Sequence, residues 1–286
     1  MDDYFKSWVV NLDAAAKAAN TTPARLINWL LKGLSIETDV RLLDLAMLTH
    51  EQQQKIESGL MRLLSQEPIS KILEEQEFYG RMFKTTHDTL DPRADSETLI
   101  ETMLPYFTID SAPHLLDLGT GTGCLLITLL LELPHATGVA VDICPKALTI
   151  AKENAMQHGV ADRMQFCLSN WCANVAGTFD GIISNPPYIT DDYPLDPSVA
   201  LYDPKQALFA GFDGLDAYRI LFDQLPILCK PSTKIIFEIG FDQAESVPGL
   251  GKEKGFRLLS KHLDKGDITR SLVFEKIEKL IESPPS

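Results

Sequence analysis

At 286 residues, with 45% hydrophobic and 23% charged side chains, the chain has the composition of a folded globular protein of one or two domains, which excludes a largely disordered one. Its formal net charge of −14 is lopsided: residues 1–85 carry 10 basic and 12 acidic side chains, leaving 16 and 28, net −12, for residues 86–286. That balance opposes binding to the phosphates of nucleic acid. The longest apolar run, Leu125 to Leu133, is interrupted by Thr128 and Glu132 and is too short for a membrane span. The acidic start, Met1-Asp2-Asp3, leads into no signal-peptide apolar stretch, so a cytoplasmic protein is expected.

Residues 1–78 read as helical. Tyr4, Phe5, Trp8, Val9 and Leu12 recur at helical spacing. Thr22 before Pro23 predicts an N-cap with proline at the first helical position, and Thr49-His50-Glu51-Gln52 predicts a capping box opening a helix towards Leu64. These segments make a small helical bundle, expected to be a substrate-docking domain. Residues 79–97, containing Asp91-Pro92-Arg93, are expected to connect it to a second domain over 98–286.

From His114 onward short apolar strands alternate with helices, the pattern of an α/β, Rossmann-like, mostly parallel sheet. Strands are predicted at 114–118, 137–141, 164–168, 179–184, 234–239, 256–259 and 271–274, which makes seven. Helices are predicted at 124–132, 145–158, 216–229 and 243–250. Residues 189–213, rich in Asp, Pro and Gly, form one long irregular insertion, and a loop of that length inside a compact domain is more often functional than idle.

The first strand runs into Asp117-Leu118-Gly119-Thr120-Gly121-Thr122-Gly123 and then an apolar helix. Glycines at alternate positions let the backbone turn sharply and approach a ligand closely. The second strand ends in Asp142, where folds of this kind place an acid on a ribose hydroxyl pair. The spacing differs from the dinucleotide glycine fingerprint and no phosphate-loop lysine follows, so a ligand with a ribose and no pyrophosphate fits better. The five cysteines show no Cys-x-x-Cys spacing and the six histidines no metal-ligand spacing, so no metal site is expected.

After the fourth strand comes Asn185-Pro186-Pro187-Tyr188. The Asn185 side-chain oxygen and the Pro186 carbonyl are two acceptors suited to one planar NH2 group, and the Tyr188 ring can lie against a planar substrate. Taken alone, the tetrapeptide also fits a plain proline-rich turn.

The glycine loop, Asp142 and Asn185-Pro186-Pro187-Tyr188 together resemble class I S-adenosylmethionine-dependent methyltransferases acting on planar nitrogens. Glu67-Pro68-Ile69, Glu77-Phe78-Tyr79-Gly80, Pro92-Arg93-Ala94-Asp95-Ser96-Glu97, Ser169-Asn170-Trp171 and Phe237-Glu238-Ile239-Gly240 extend the match. They resemble, in order, the landmarks of the HemK/PrmC family, the peptide chain release factor N5-glutamine methyltransferases. Asp91 and Ala94 depart from that family's usual Ile-Pro-Arg-Pro-Asp-Thr-Glu run. Glu74 stands where a glycine is usual, and Asn170 where an aspartate is usual.

The resemblance implies S-adenosyl-L-methionine as cofactor, with S-adenosyl-L-homocysteine as product. Gly119, Thr120, Gly121, Thr122 and Gly123 would bracket its methionine part, Asp142 its ribose and Trp171 its adenine, with Asn185 beside the methyl. Asn185, Pro186 and Tyr188 would be catalytic, and with Pro187 they would hold the substrate amide. The implied partners are class I peptide chain release factors, met by a monomer without membrane or direct nucleic-acid contact. A ribosomal-protein glutamine or an exocyclic amine of nucleic acid are the alternative substrates.

Overall fold

A computed structural model describes residues 3–19, 21–36, 39–40 and 47–277, the side chains of residues 3–5 and 18 excepted. The predicted apolar positions Tyr4 and Phe5 therefore lie outside the described side chains. Within the described residues the chain divides into two compact units. One comprises the residues up to Gln76 with Thr85–His87 and Pro194–Asp203; the other comprises Glu77–Lys84, Asp88–Tyr193 and the chain from Pro204 onward.

The first unit contains α1 (Asp3–Asn11), α2 (Asp13–Ala18), α3 (Pro23–Gly33), α4 (His50–Leu64) and α5 (Ile69–Leu73). Thr22 caps α3, accepting from the Arg25 N–H, with proline at the first position. The Thr49 hydroxyl accepts from Gln52 N at 3.2 Å while Gln52 Oε1 accepts from Thr49 N at 2.9 Å, a reciprocal cap that opens α4. Leu26, Ile27, Leu30 and Leu31 of α3 meet Ile56, Leu60 and Leu63 of α4 in one buried cluster with Leu12. The unit also encloses charge. Lys71 and Asp203 are both buried and lie 3.1 Å apart, and Lys71 Nζ donates to the Thr86 carbonyl at 2.8 Å. Arg62 grips Glu67 with two bonds of 2.7 and 2.6 Å.

Helix does not continue to residue 78 as predicted. Glu75–Phe78 is strand β1 and pairs with β2 (Arg81–Lys84) across a turn in which Tyr79 and Gly80 both take positive φ, 51° and 70°. Two residues at φ > 0 match the twist of a hairpin.

The second unit continues with α6 (Glu97–Met103), β3 (His114–Leu118), α7 (Cys124–Glu132), β4 (Thr137–Asp142), α8 (Pro145–Gln157), β5 (Met164–Leu168) and β6 (Phe179–Ser184). Helix α9 (Pro197–Tyr202) lies inside the stretch expected to be irregular; Asp196 caps it by accepting from Ser198 N at 2.9 Å, and it belongs to the first unit. Then come α10 (Asp216–Gln224), β7 (Cys229–Glu238), α11 (Ser246–Glu253), β8 (Phe256–Leu263) and β9 (Thr269–Lys276). The helix predicted over 216–229 stops early, because Pro226 cannot donate to the helical ladder and Cys229 opens β7.

The sheet has seven strands in the order β5-β4-β3-β6-β7-β9-β8, parallel from β5 to β7 and antiparallel through β9 and β8. Alternation along each strand feeds two cores. Leu115, Ile183 and Ile236 pack on one face with α6 and α7; Leu116, Ile182 and Ile235 pack on the other with Leu221 and Phe222 of α10. Strand order reverses between β3 and β6, and a cavity at the carboxyl ends of the strands is expected at such a point. Among the described residues no helix is long and apolar enough to cross a membrane.

Candidate active site

Each of the five parallel strands delivers a residue to one end of the sheet. β3 feeds the loop from Gly119 to Gly123, in which Gly119, Gly121 and Gly123 take φ of 75°, 55° and 81°. These values suit glycine alone without strain. A Cβ on Gly121 would meet no atom within 4 Å, so the backbone there is open to a ligand. On Gly123 a Cβ would come within 3.0 Å of Ile127 and 3.2 Å of Ala151, so that glycine is required by packing of α7 on α8.

β4 ends at Asp142, whose Oδ2 accepts from Gly121 N and Oδ1 from Cys144 N, both at 2.9 Å. Burial pushes its carboxyl above the ordinary value, and backbone N–H groups oppose the rise. Asp117 is wholly buried beneath the loop and accepts from the Thr120 hydroxyl at 2.6 Å; burial and the nearby Asp142 charge push it up to about 7. β5 leads into Trp171, held at φ 53°, a left-handed conformation that a large side chain adopts only when its surroundings impose it.

β6 delivers Asn185 and β7 delivers Glu238. Asn185 Nδ2 donates to Ser96 Oγ at 3.0 Å, Ser96 Oγ donates to Glu238 Oε2 at 2.5 Å, and Tyr188 Oη donates to Glu238 Oε1 at 3.3 Å. Tyr218 Oη donates to the Glu238 carbonyl at 2.7 Å. Glu238 is wholly buried; desolvation pushes its carboxyl up to about 7 against the pull of Ser96, Arg270 and Tyr188. Gln243 holds the turn from outside, with Nε2 donating to the carbonyls of Tyr188 at 3.1 Å and Gly214 at 3.0 Å.

These elements surround a cavity of about 350 Å³. Gly119, Thr120, Gly121 and Thr122 line it, together with Asp142, Trp171, Asn185 and Pro187. Gly123 and Pro186 do not line it, and Tyr188 turns its hydroxyl to Glu238. Ser96, Glu238 and Gln243 were given no role by the sequence. The first two lie in runs that carried the family resemblance, which was the available signal; Gln243 was read only as the start of a helix.

Residues 84–199 match the model of the methyltransferase small domain family. The chain is 43% identical over 217 residues to a release factor glutamine methyltransferase of Cereibacter sphaeroides, an alignment that spans 74% of this chain and 76% of that one. It is 36% identical over 271 residues to a release factor glutamine methyltransferase of Agrobacterium fabrum, spanning 93% of each. Among solved structures, a methyltransferase from Pyrococcus furiosus superposes with a TM-score of 0.53 at 16% identity, covering 80% of this chain and 100% of that one, a likeness of fold.

Proposed function

Because this chain belongs to the release factor glutamine methyltransferase family, we propose that it methylates N5 of the glutamine in the Gly-Gly-Gln loop of class I peptide chain release factors, using S-adenosylmethionine. The observation that carries the reading is that Asn185 lines the same cavity as Gly121 and Asp142, so an amide acceptor stands in the pocket with a ribose-type acid.

The residues present fit the cofactor. Gly121 leaves its face of the loop clear of side chain. A carboxylate has about four acceptor sites, and the two backbone bonds on Asp142 leave room for a hydroxyl pair. Trp171 offers an aromatic wall. Gly119, Thr120, Gly121 and Thr122 would hold the amino-acid end, with Gly123 setting the loop's exit into α7. When bound, S-adenosylmethionine supplies an electrophilic methyl on a sulfonium.

What remains for the protein is the nucleophile, since an amide nitrogen shares its lone pair with its carbonyl. Asn185 Oδ1 and the Pro186 carbonyl would each accept one N–H of the substrate amide, orienting its lone pair and stabilising positive charge as it develops. Pro187 and Tyr188 keep that turn rigid. Positioning of this kind contributes on the order of 7–11 kcal/mol when reacting atoms are held near 3–3.5 Å. The helical unit is assigned to docking the body of the release factor.

The test is incubation with labelled cofactor and, separately, an intact release factor, its Gln→Ala loop variant, ribosomal proteins and duplex DNA. Label should appear on the intact release factor alone. Label on DNA, or equal label on the Gln→Ala variant, sinks the reading.

A further inference from the structure

Asn185 is useful as an acceptor only if its amide is turned the right way, and nothing in the side chain itself decides between its two faces. The decision is made two contacts away. Ser96 has one hydroxyl proton, and the 2.5 Å bond to Glu238 uses it. Towards Asn185, Ser96 can then only accept, so the amide must present Nδ2 at 3.0 Å. Oδ1 is left on the opposite edge, and among the described residues no donor reaches it. Tyr188 donates to the other oxygen of Glu238, so both carboxylate oxygens act as acceptors.

We propose, resting on the function above, that Glu238 and Ser96 are positioning residues for methyl transfer: the ionised Glu238 carboxylate orients the Ser96 hydroxyl, which fixes the Asn185 amide with Oδ1 available to the substrate nitrogen. Protonated Glu238 removes the constraint. A carboxylic acid can donate to Ser96, Ser96 can then donate to Asn185, and the amide turns its NH2 to the substrate, a donor where an acceptor is needed.

Glu238 is faced by groups from several elements. Ser96 and Asp95 come from the turn before α6, Tyr188 from the turn after β6, Cys124 from α7, Tyr218 from α10 and Arg270 from β9. Among them Arg270 is a cation, shared with Asp264 at 3.1 Å and Asp95 at 3.2 Å. Tyr188 and Tyr218 are both raised above the ordinary tyrosine value by burial, and Cys124 is pushed up by burial to about 12. Glu238 is up at about 7, as is Asp117 beneath the glycine loop, so it is the response of the acid limb to Ser96→Ala that tells the two apart. The active form lies above that value and is lost as the pH falls through it.

The experiment measures kcat and KM for intact release factor against pH, with cofactor affinity by calorimetry, for the wild type, Ser96→Ala, Ser96→Thr, Glu238→Gln and Asn185→Ala. Wild-type kcat should fall on the acid side of about pH 7. Ser96→Ala should lower kcat about tenfold or more and flatten that acid limb, with KM and cofactor affinity within about threefold of wild type. Ser96→Thr, which restores the hydroxyl, should recover most of the rate. Glu238→Gln should be slow with no acid limb; should it fail to fold, the serine pair still decides. Ser96→Ala with wild-type kcat and an unchanged pH profile overturns the inference alone. A wild type without turnover on release factor overturns the proposed function, and full turnover by Asn185→Ala removes the residue on which this network acts.

Discussion

Glu74 closes α5 at φ 56°, a left-handed helix cap that ordinarily belongs to glycine. The family resemblance marked a glycine as usual there, and the backbone supplies the reason. A side chain in this conformation costs roughly 1–2 kcal/mol, partly offset because glycine orders more backbone on folding, by roughly 0.5–1 kcal/mol. Glu74→Gly should therefore raise stability by about 0.5–1 kcal/mol, read as a rise in the denaturant midpoint; a lower midpoint refutes the strain account. Asp142 invites a binding test. Asp142→Ala should weaken S-adenosylmethionine binding by roughly 1.5–3 kcal/mol with the circular dichroism spectrum unchanged, and unaltered affinity in calorimetry would remove Asp142 from the site. Asn185→Ala should lose about a hundredfold or more in turnover while keeping much of that affinity.

Between elements, the buried pair of Lys71 in α5 and Asp203 after α9 deserves the sharpest prediction. Breaking a buried ion pair by removing one partner costs about 3–5 kcal/mol, so Asp203→Ala should destabilise the helical unit by that order. The double variant Lys71→Met with Asp203→Leu should recover most of that loss. Denaturant titration monitored at Trp8 and Trp29 fluorescence compares the two; equal losses would mean the cost is not the orphaned charge. Legibility also divides at this scale. The existence of all seven sheet strands, the capping box of α4, the glycine loop and Asp142 were readable because each is written in adjacent residues. Strand β7 begins five residues earlier than predicted, and β8 runs four residues further, because Lys230-Pro231-Ser232-Thr233 and Ser260-Lys261-His262 lack the apolar pattern that marked the rest of each strand. The β1–β2 hairpin was missed because Tyr79 is not a residue that announces positive φ. Helix α9 was missed because six residues are too few to show periodicity. The Ser96–Glu238 link joins positions 142 apart in sequence and Asn185–Ser96 positions 89 apart, so no local pattern could place them together.

For the molecule as a whole, acidity and burial act against each other. Asp117 and Glu238 ionise near 3.8 and 4.5 in an unconstrained chain and at about 7 in the fold. Between those values the folded protein holds protons that the unfolded chain has released, so stability falls as pH rises through that window, and the whole penalty is present above it. The carboxyls of Glu97, Asp180, Asp264 and Glu275 are depressed below the ordinary value, so the stability they add is lost only as pH falls through their lowered range. Without ligand, the protein should be most stable near pH 4.5–5 and weaker at pH 8 by on the order of several kcal/mol; a melting temperature that rises from pH 6 to pH 8 contradicts this. If Glu238 acts as proposed, the pH that favours turnover is the one that favours the fold less. The route of the chain through its two units has a further consequence, for birth rather than for equilibrium. Helices α1 to α5 precede the sheet in the chain, yet their unit is not whole until Pro194–Asp203 has been made. Lys71 is synthesised roughly 130 residues before its partner, a wait on the order of ten seconds at ~5–20 residues per second. During that interval the buried pair that Lys71 makes with Asp203 cannot form, so helices made early wait on a segment made much later.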